Sequence, residues 1–176
     1  TESVSAPVVI NIFEGGAYSI DADNRKVDLI DGQSITAPLE IYTKSESDIE
    51  ILYGDGSIAR ISSDSHINLK SASYDNGTII SRISLLSGHV WSKVVGLTTL
   101  ESSWTIETPH AVATVRGTAF DSYVDDEQSE FTGSEHDVYI EMTDEETGAV
   151  IDGLGAMLGE GEQVILTKDI RKEILE

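Results

Sequence analysis

The sequence predicts an all-β fold: stacked short antiparallel strands in a two-layer sandwich or β-solenoid-like arrangement, with a short C-terminal helix. Three observations carry this. Apolar and polar residues alternate along most of the chain, the period of a half-buried strand. Apolar residues make up 39% of the chain and aromatics only 6%, so Ile, Val, Leu and Ala must build the core, and β-branched residues with Thr and Ser favour sheet. Tight-turn pairs punctuate the alternation. At 176 residues the chain is long enough for one domain with a real core.

The elements follow in order. The stretch Ile49, Ile51, Tyr53 leads into Asp55-Gly56, Ile67 and Leu69 precede Asn76-Gly77, and Ile79, Ser81, Ile83, Leu85 run on to Gly88. Both Gly-containing pairs supply the positive φ angles of two-residue hairpin turns. The same turn chemistry accounts for the glycosylation-like tripeptide Asn76-Gly77-Thr78. Trp104, Ile106 and Thr108 form a further strand, Ala111 to Val115 is small or apolar on both faces, and Phe120, Ser122 and Val124 alternate again. Val138, Ile140 and Met142 make another strand, as do Val164 and Leu166. Three segments, Leu29 to Ile35, Leu85 to Trp91 and Leu158 to Val164, share the form Leu-x-x-Gly-x-x-apolar, each read as strand, glycine corner, strand. Residues 1–167 are thus one all-β domain. Residues 168–176 start a charged helix or linker, with Thr167 as its cap and Ile170 and Ile174 on one face.

Charge restricts the partners. Acidic residues outnumber basic ones 32 to 11, for a formal charge of −21, which repels nucleic acid and anionic lipid. Residues 121–146 hold eleven carboxylates and no Lys or Arg. Cysteine is absent, which excludes disulfides and thiolate chemistry. No apolar stretch approaches the roughly 20 residues that span a bilayer, and the first residues show no export signal. Any membrane anchor is expected in a segment outside this sequence.

Catalytic and metal motifs are missing. His66, His89, His110 and His136 are isolated in sequence, which fits surface or strand-end positions better than a metal centre. No Gly-x-Ser-x-Gly elbow occurs. The glycines from Gly153 to Gly161 lack nucleotide-binding spacing and read as corner residues. Asp21 to Asn24 begins like a calcium loop but has Arg25 at the fifth ligand position. Asp125 to Glu130 is either a solvated acidic loop, the favoured reading, or a set of calcium ligands. No catalytic residue, metal ligand or cofactor is assigned.

One arginine needs a separate account, because Arg116 closes the run of small and β-branched residues in Thr108 to Phe120. If Val112, Thr114 and Arg116 share a strand face, the small neighbours leave room for its stem. Burial would then require a partner, since an unpaired buried guanidinium costs several kcal/mol. Gly117 permits a bend or close backbone approach and Thr118 offers a hydroxyl to the turn. Arg116, Gly117 and Thr118 therefore read as a structural motif that ties strands, in preference to a ligand contact.

The run Thr108-Pro109-x-Ala111-x-x-x-Val115-Arg116-Gly117-Thr118-x-Phe120 resembles the signature segment of the FecR-like domain family. Asp55 to Ile61, Leu85 to Trp91 and Leu158 to Leu166 resemble its other segments in the same order, so the resemblance covers roughly residues 8–167. It implies a non-catalytic all-β module outside the cytoplasm, in the periplasm or at the cell surface, anchored to the membrane in the full-length protein. It also implies action through contact with a protein partner in signal relay. The alternative is a cell-surface adhesion or glycan-binding module steadied by calcium.

Overall fold

The computed structural model describes residues 7–167 apart from 98, 116 and 145. Sixteen strands make up the regular structure there: β1 (Val8–Glu14), β2 (Ala17–Ile20), β3 (Lys26–Asp28), β4 (Gln33–Ile35), β5 (Leu39–Thr43), β6 (Asp48–Leu52), β7 (Ile58–Ile61) and β8 (His66–Asp75), then β9 (Thr78–Lys93), β10 (Ser103–Glu107), β11 (Ala111–Val115), β12 (Ala119–Val124), β13 (Gln128–Gly133), β14 (Val138–Thr143), β15 (Val150–Leu158) and β16 (Gln163–Thr167). The fold is all-β, as the alternation predicts. The helix expected over residues 168–176 lies outside the described residues.

The strands pair in two series that meet in β9. One runs β4-β1-β6-β7-β9-β12-β13-β16, and the other runs β3-β2-β5-β8-β9-β10-β11-β14-β15. The first part of β9 pairs with β8 and β10, whereas Gly88 to Lys93 pairs with β12, and Val90 to Lys93 also with β7. Neither the strand lengths nor their directions are uniform: β9 has 16 residues, and β10 runs parallel to it with Ser103 opposite Ile80 and Glu107 opposite Ser84. This corrects the expectation of short antiparallel strands throughout. The reason lies at Gly88, read from sequence as a corner between two strands but in fact the point where one long strand changes partners. Its φ is +99°, and a Cβ there would come within 2.2 Å of Ser65 Oγ and 2.6 Å of Ser65 Cα. Only glycine fits without displacing Ser65.

Alternation does the rest of the work. Inward residues Ile49 and Ile51 on β6, Ile61 on β7, Trp104 and Ile106 on β10, and Ala111 and Ala113 on β11 all enter one buried core. Each fully buried aliphatic side chain contributes about 1.5–3 kcal/mol. Tyr53, just after β6, joins the two series: its ring meets Trp104 of β10 at 4.8 Å with a 58° tilt, and its hydroxyl lies 2.7 Å from Ser81 Oγ on β9. That tilted arrangement suits the ring quadrupoles, and burial pushes the Tyr53 hydroxyl well above its ordinary pKa, so it stays neutral.

Two turn expectations separate here. Asn76 (φ 47°) and Gly77 (φ 82°) join Asp75 to its partner Thr78 in the predicted two-residue turn. The Asp55-Gly56 turn is longer, because Tyr53 N–H donates to Ser57 O and Gly56 N–H to Tyr53 O, with positive φ at Gly56 only. The Asp55 carboxylate accepts from both the N–H and the hydroxyl of Ser57, each at 2.9 Å. That local bond favours the three-residue form. The glycine-rich stretch departs in part from its reading as corners: Gly159 and Gly161 lie in the turn between β15 and β16, whereas Gly153 and Gly155 lie within β15, and a Cβ at Gly155 would meet the Tyr139 hydroxyl at 2.6 Å.

Gly88→Ala should therefore cost at least about 2 kcal/mol, combining backbone strain with overpacking. Gly32→Ala, at φ +77° but with no atom within 4 Å of the new Cβ, should cost about 1 kcal/mol. Thermal denaturation of the two variants side by side checks the ranking; equal losses would show that the Ser65 approach does not matter.

Candidate protein-contact surfaces

The signature run of residues 108–120 supplies β11, a bend and the start of β12. Ala111, Ala113 and Val115 face inward, while Val112 and Thr114 lie on the half-exposed face. Arg116 lies outside the described residues. Gly117 has φ +113°, and a Cβ on it would lie 2.8 Å from Gly96 Cα. Thr118 is buried; its carbonyl accepts Val94 N–H at 2.8 Å, and its hydroxyl donates to His136 O at 2.9 Å. Gly117 and Thr118 thus join the chain after β9 to the loop before β14.

On the outer face beside this run, Glu107 gathers two cations from neighbouring strands. Lys70 Nζ donates to Oε2 at 2.7 Å and Arg82 Nε to Oε1 at 2.5 Å, with only 16% of the Glu107 side chain exposed. Burial alone would raise the Glu107 pKa, but the hydrogen bonds from Lys70 and Arg82 outweigh it and hold the carboxyl below its ordinary range. The cluster forms part of a groove of about 420 Å³ that also includes Leu86, Val112 and Asp144. A second charge pair holds the hairpin of the Asp55 to Ile61 segment: Arg60 donates to both oxygens of Asp48, at 2.8 and 2.6 Å. The Arg60 hydrogen bonds lower the Asp48 pKa against an opposing effect of burial.

The histidines are not the isolated groups their spacing suggests. His89 Nδ1 is 2.8 Å from Ser62 Oγ and its Nε2 is 2.5 Å from Asp121 Oδ1, a Ser-His-Asp chain reaching from the end of β7 across β9 to β12. The residue types match a nucleophile relay, yet the surroundings oppose one. Ser62 N–H donates to His89 O, and the adjacent groove carries Asp64, Asp125 and Asp126, whose charge disfavours a developing oxyanion. The chain instead pins three adjacent strands at the point where β9 changes partners. His66 Nε2 lies 2.5 Å from Glu40 Oε1, and buried His110 bonds Ser129 Oγ through Nδ1 at 2.7 Å. His136 is exposed.

Asp21 and Asp125, which open the two calcium-like stretches, use their carboxylates locally. Asp21 Oδ1 accepts from the N–H groups of Asp23 and Arg25, and the Arg25 side chain pairs with both aspartates. Asp125 Oδ1 accepts from the N–H groups of Glu127 and Gln128. Among the described residues, no group of three or more His, Asp or Glu is placed to hold a metal ion.

Protonating Glu107 should loosen its cluster, and the sign follows from its lowered pKa. Its contribution is present above the unfolded value near 4.5 and is lost as pH falls through the folded value. Glu107→Gln should cost about 1 kcal/mol at pH 7, and the gap between native chain and variant should close on titration below pH 4.5. A gap that stays constant to pH 3 would mean that charge pairing is not its source.

Residues 40–138 match the family described as FecR protein. Two crystal structures of candidate anti-sigma factors from Parabacteroides distasonis, at 2.50 and 1.65 Å resolution, share the fold, each with a TM-score of 0.56 and 16% identity over 73% of this chain. The chain spans about half, 54%, of each of those proteins. No curated protein matches the chain. Because the family match covers more than half of the sequence and includes the Thr108-to-Phe120 run up to Val138, the chain belongs to the FecR family.

Proposed function

We propose that the chain is the non-catalytic, extracytoplasmic contact module of a membrane-anchored signalling protein. Membership of the FecR family carries this reading, and the fold shared with candidate anti-sigma factors supports it. The geometry adds a mechanism. Among the described residues β3, β4 and β15 each pair with one strand only, and an outer edge of this kind can take up a partner strand through main-chain hydrogen bonds. Among the described residues no helix is long and apolar enough to cross a membrane; the anchor of this reading belongs to a segment outside the sequence.

The adhesion or glycan-binding alternative draws little from the aromatic row. Tyr42 is stacked between Tyr18 at 5.1 Å and His66 at 4.0 Å, and Lys26 Nζ sits 4.5 Å over the Tyr18 ring. The rings cover one another instead of lying side by side as a platform for a sugar.

In this reading Arg116, Gly117 and Thr118 serve stability. Arg116→Met should lower the melting temperature by several degrees, about 1–3 kcal/mol, and Arg116→Lys should also harm it, since lysine lacks the planar fork. Unchanged stability with lost signalling would make Arg116 a recognition residue. Deleting the segment that encodes residues 1–176 in its host tests the function itself. A restricted set of transcripts should change; an unchanged transcript profile accompanied by lost surface adhesion would favour the alternative.

A further inference from the structure

Only one of the two tryptophans is used in the core. Trp104 is fully buried, whereas Trp91 lies between Val90 and Ser92, both 0% exposed. The alternation of β9 therefore turns the Trp91 ring to the solvent face, where it is half-buried. Its cross-strand neighbours are Arg60 on β7 and Asp121 on β12. Neither side chain is spent on it. Arg60 donates to both oxygens of Asp48 on β6 and lies 4.7 Å over the Phe13 ring of β1, and both of those strands stand on the far side of β7 from β9. Asp121 is held by His89. Among the described residues the Trp91 indole N–H has no acceptor.

Two more rings share this face. Tyr123, opposite His89 on the neighbouring strand, is 38% exposed, and Phe13 is 57% exposed. Phe13, Trp91 and Tyr123 thus stand with Arg60 on one solvent face, in a chain whose aromatics make up only 6% of its residues. Trp, Tyr and Arg are the residue types that carry most binding energy at protein interfaces. Their carrier strand is the most heavily paired in the fold, so the face is held rigidly and little ordering entropy is lost on contact.

Charge selects the partner. Arg60 is neutralised by Asp48, and Lys93 lies 3.6 Å from Glu135. Three further carboxylates around the rings form no ion pair with a lysine or arginine among the described residues: Glu50 accepts from the Asn11 amide at 3.2 Å, Asp121 faces His89, and Glu130 accepts from the Gln163 amide. A cationic side chain laid on Trp91 meets the negative face of the indole and, beside it, the Asp121 carboxylate. A second copy would bring a formal charge of −21 of its own and be repelled. Resting on the contact reading above, we propose that the solvent face of β7, β9 and β12, centred on Trp91, docks a partner protein that presents Lys or Arg side chains to it.

A synthetic peptide of about eight residues alternating arginine and serine supplies the probe, and the same peptide with citrulline, the uncharged isostere, supplies the control. Titrated into the full chain at low salt and followed by NMR, the arginine peptide should move the indole N–H signal of Trp91 and leave that of Trp104 in place. It should bind at least about tenfold more tightly than the citrulline peptide. Trp91→Thr should weaken the binding at least about threefold, whereas Tyr139→Thr, on the solvent face of the other series, should not. If Trp91→Thr fails to fold, Glu130→Lys supplies the second test: it should weaken binding more than Glu141→Lys, the same charge change on the other face. Equal losses from those two, a stationary Trp91 signal, or equal affinity for the two peptides would overturn the proposal, because the acidity of the whole chain would then account for the binding. So would a Trp91 signal that changes with chain concentration, which would make a second copy the occupant. Cellohexaose moving that signal at lower concentration than the arginine peptide would make a glycan the occupant and overturn it too. In the host, Trp91→Thr should change the same transcripts as the deletion of residues 1–176. Normal regulation by a folded Trp91→Thr chain would overturn this surface while leaving the signalling reading, which the deletion tests, in place.

Discussion

One strand holds the molecule together. β9 is paired on both sides along much of its length, with β8 and β10 in its first part and with β7 and β12 after Gly88. The change of partner demands a backbone turn at φ +99° against Ser65, where only glycine fits. Around that point the surrounding strands are fastened by side chains: Ser65 Oγ accepts His89 N–H at 3.1 Å, and His89 reaches Ser62 on one side and Asp121 on the other. Inside, Tyr53 spans from the first series to Trp104 and Ser81 of the second. With so few aromatics in the chain, these two rings supply the largest fully buried side chains.

This plan separates a closed middle from open ends. β9 and the strands next to it bury their inward residues almost completely, as Ile83 and Val90 on β9, Trp104 on β10 and Phe120 on β12 show. The outermost strands do not: β3 is exposed along its whole length, and most of β15 is exposed as well. Among the described residues, burial is therefore concentrated in the middle and the outer strands are the exposed ones. For the contact role proposed above, that division would let a partner engage the periphery without disturbing the strands that hold the fold.

Sequence reasoning succeeded where the information is local. Alternation places Ile49, Ile51, Trp104 and Ile106 on buried faces, and Asn76-Gly77 specifies its own turn. The signature run is legible because its small inward residues, its glycine and its threonine are adjacent in sequence. Features that depend on strand register were not legible: Ser62 and Asp121 meet His89 at sequence separations of 27 and 32, and Lys70 and Arg82 meet Glu107 at separations of 37 and 25. Nor could alternation find strands of three or four residues such as β2 and β3, which are too short to show a period. β15 escaped notice because its glycines mimic turn residues, and the parallel pairing of β10 depends on a chain path that no local pattern records.

The central claim is that β9 makes the two strand series one cooperative unit, and native-state hydrogen exchange under increasing denaturant tests it directly. Amides of β9 on both sides of Gly88 should exchange only through global unfolding, with a common free energy and a common denaturant dependence, while those of the exposed outer strands β3 and β15 exchange at much lower energies. Two distinct opening energies on either side of Gly88 would contradict the account, because the series would then unfold separately and β9 would be a connector instead of the shared centre.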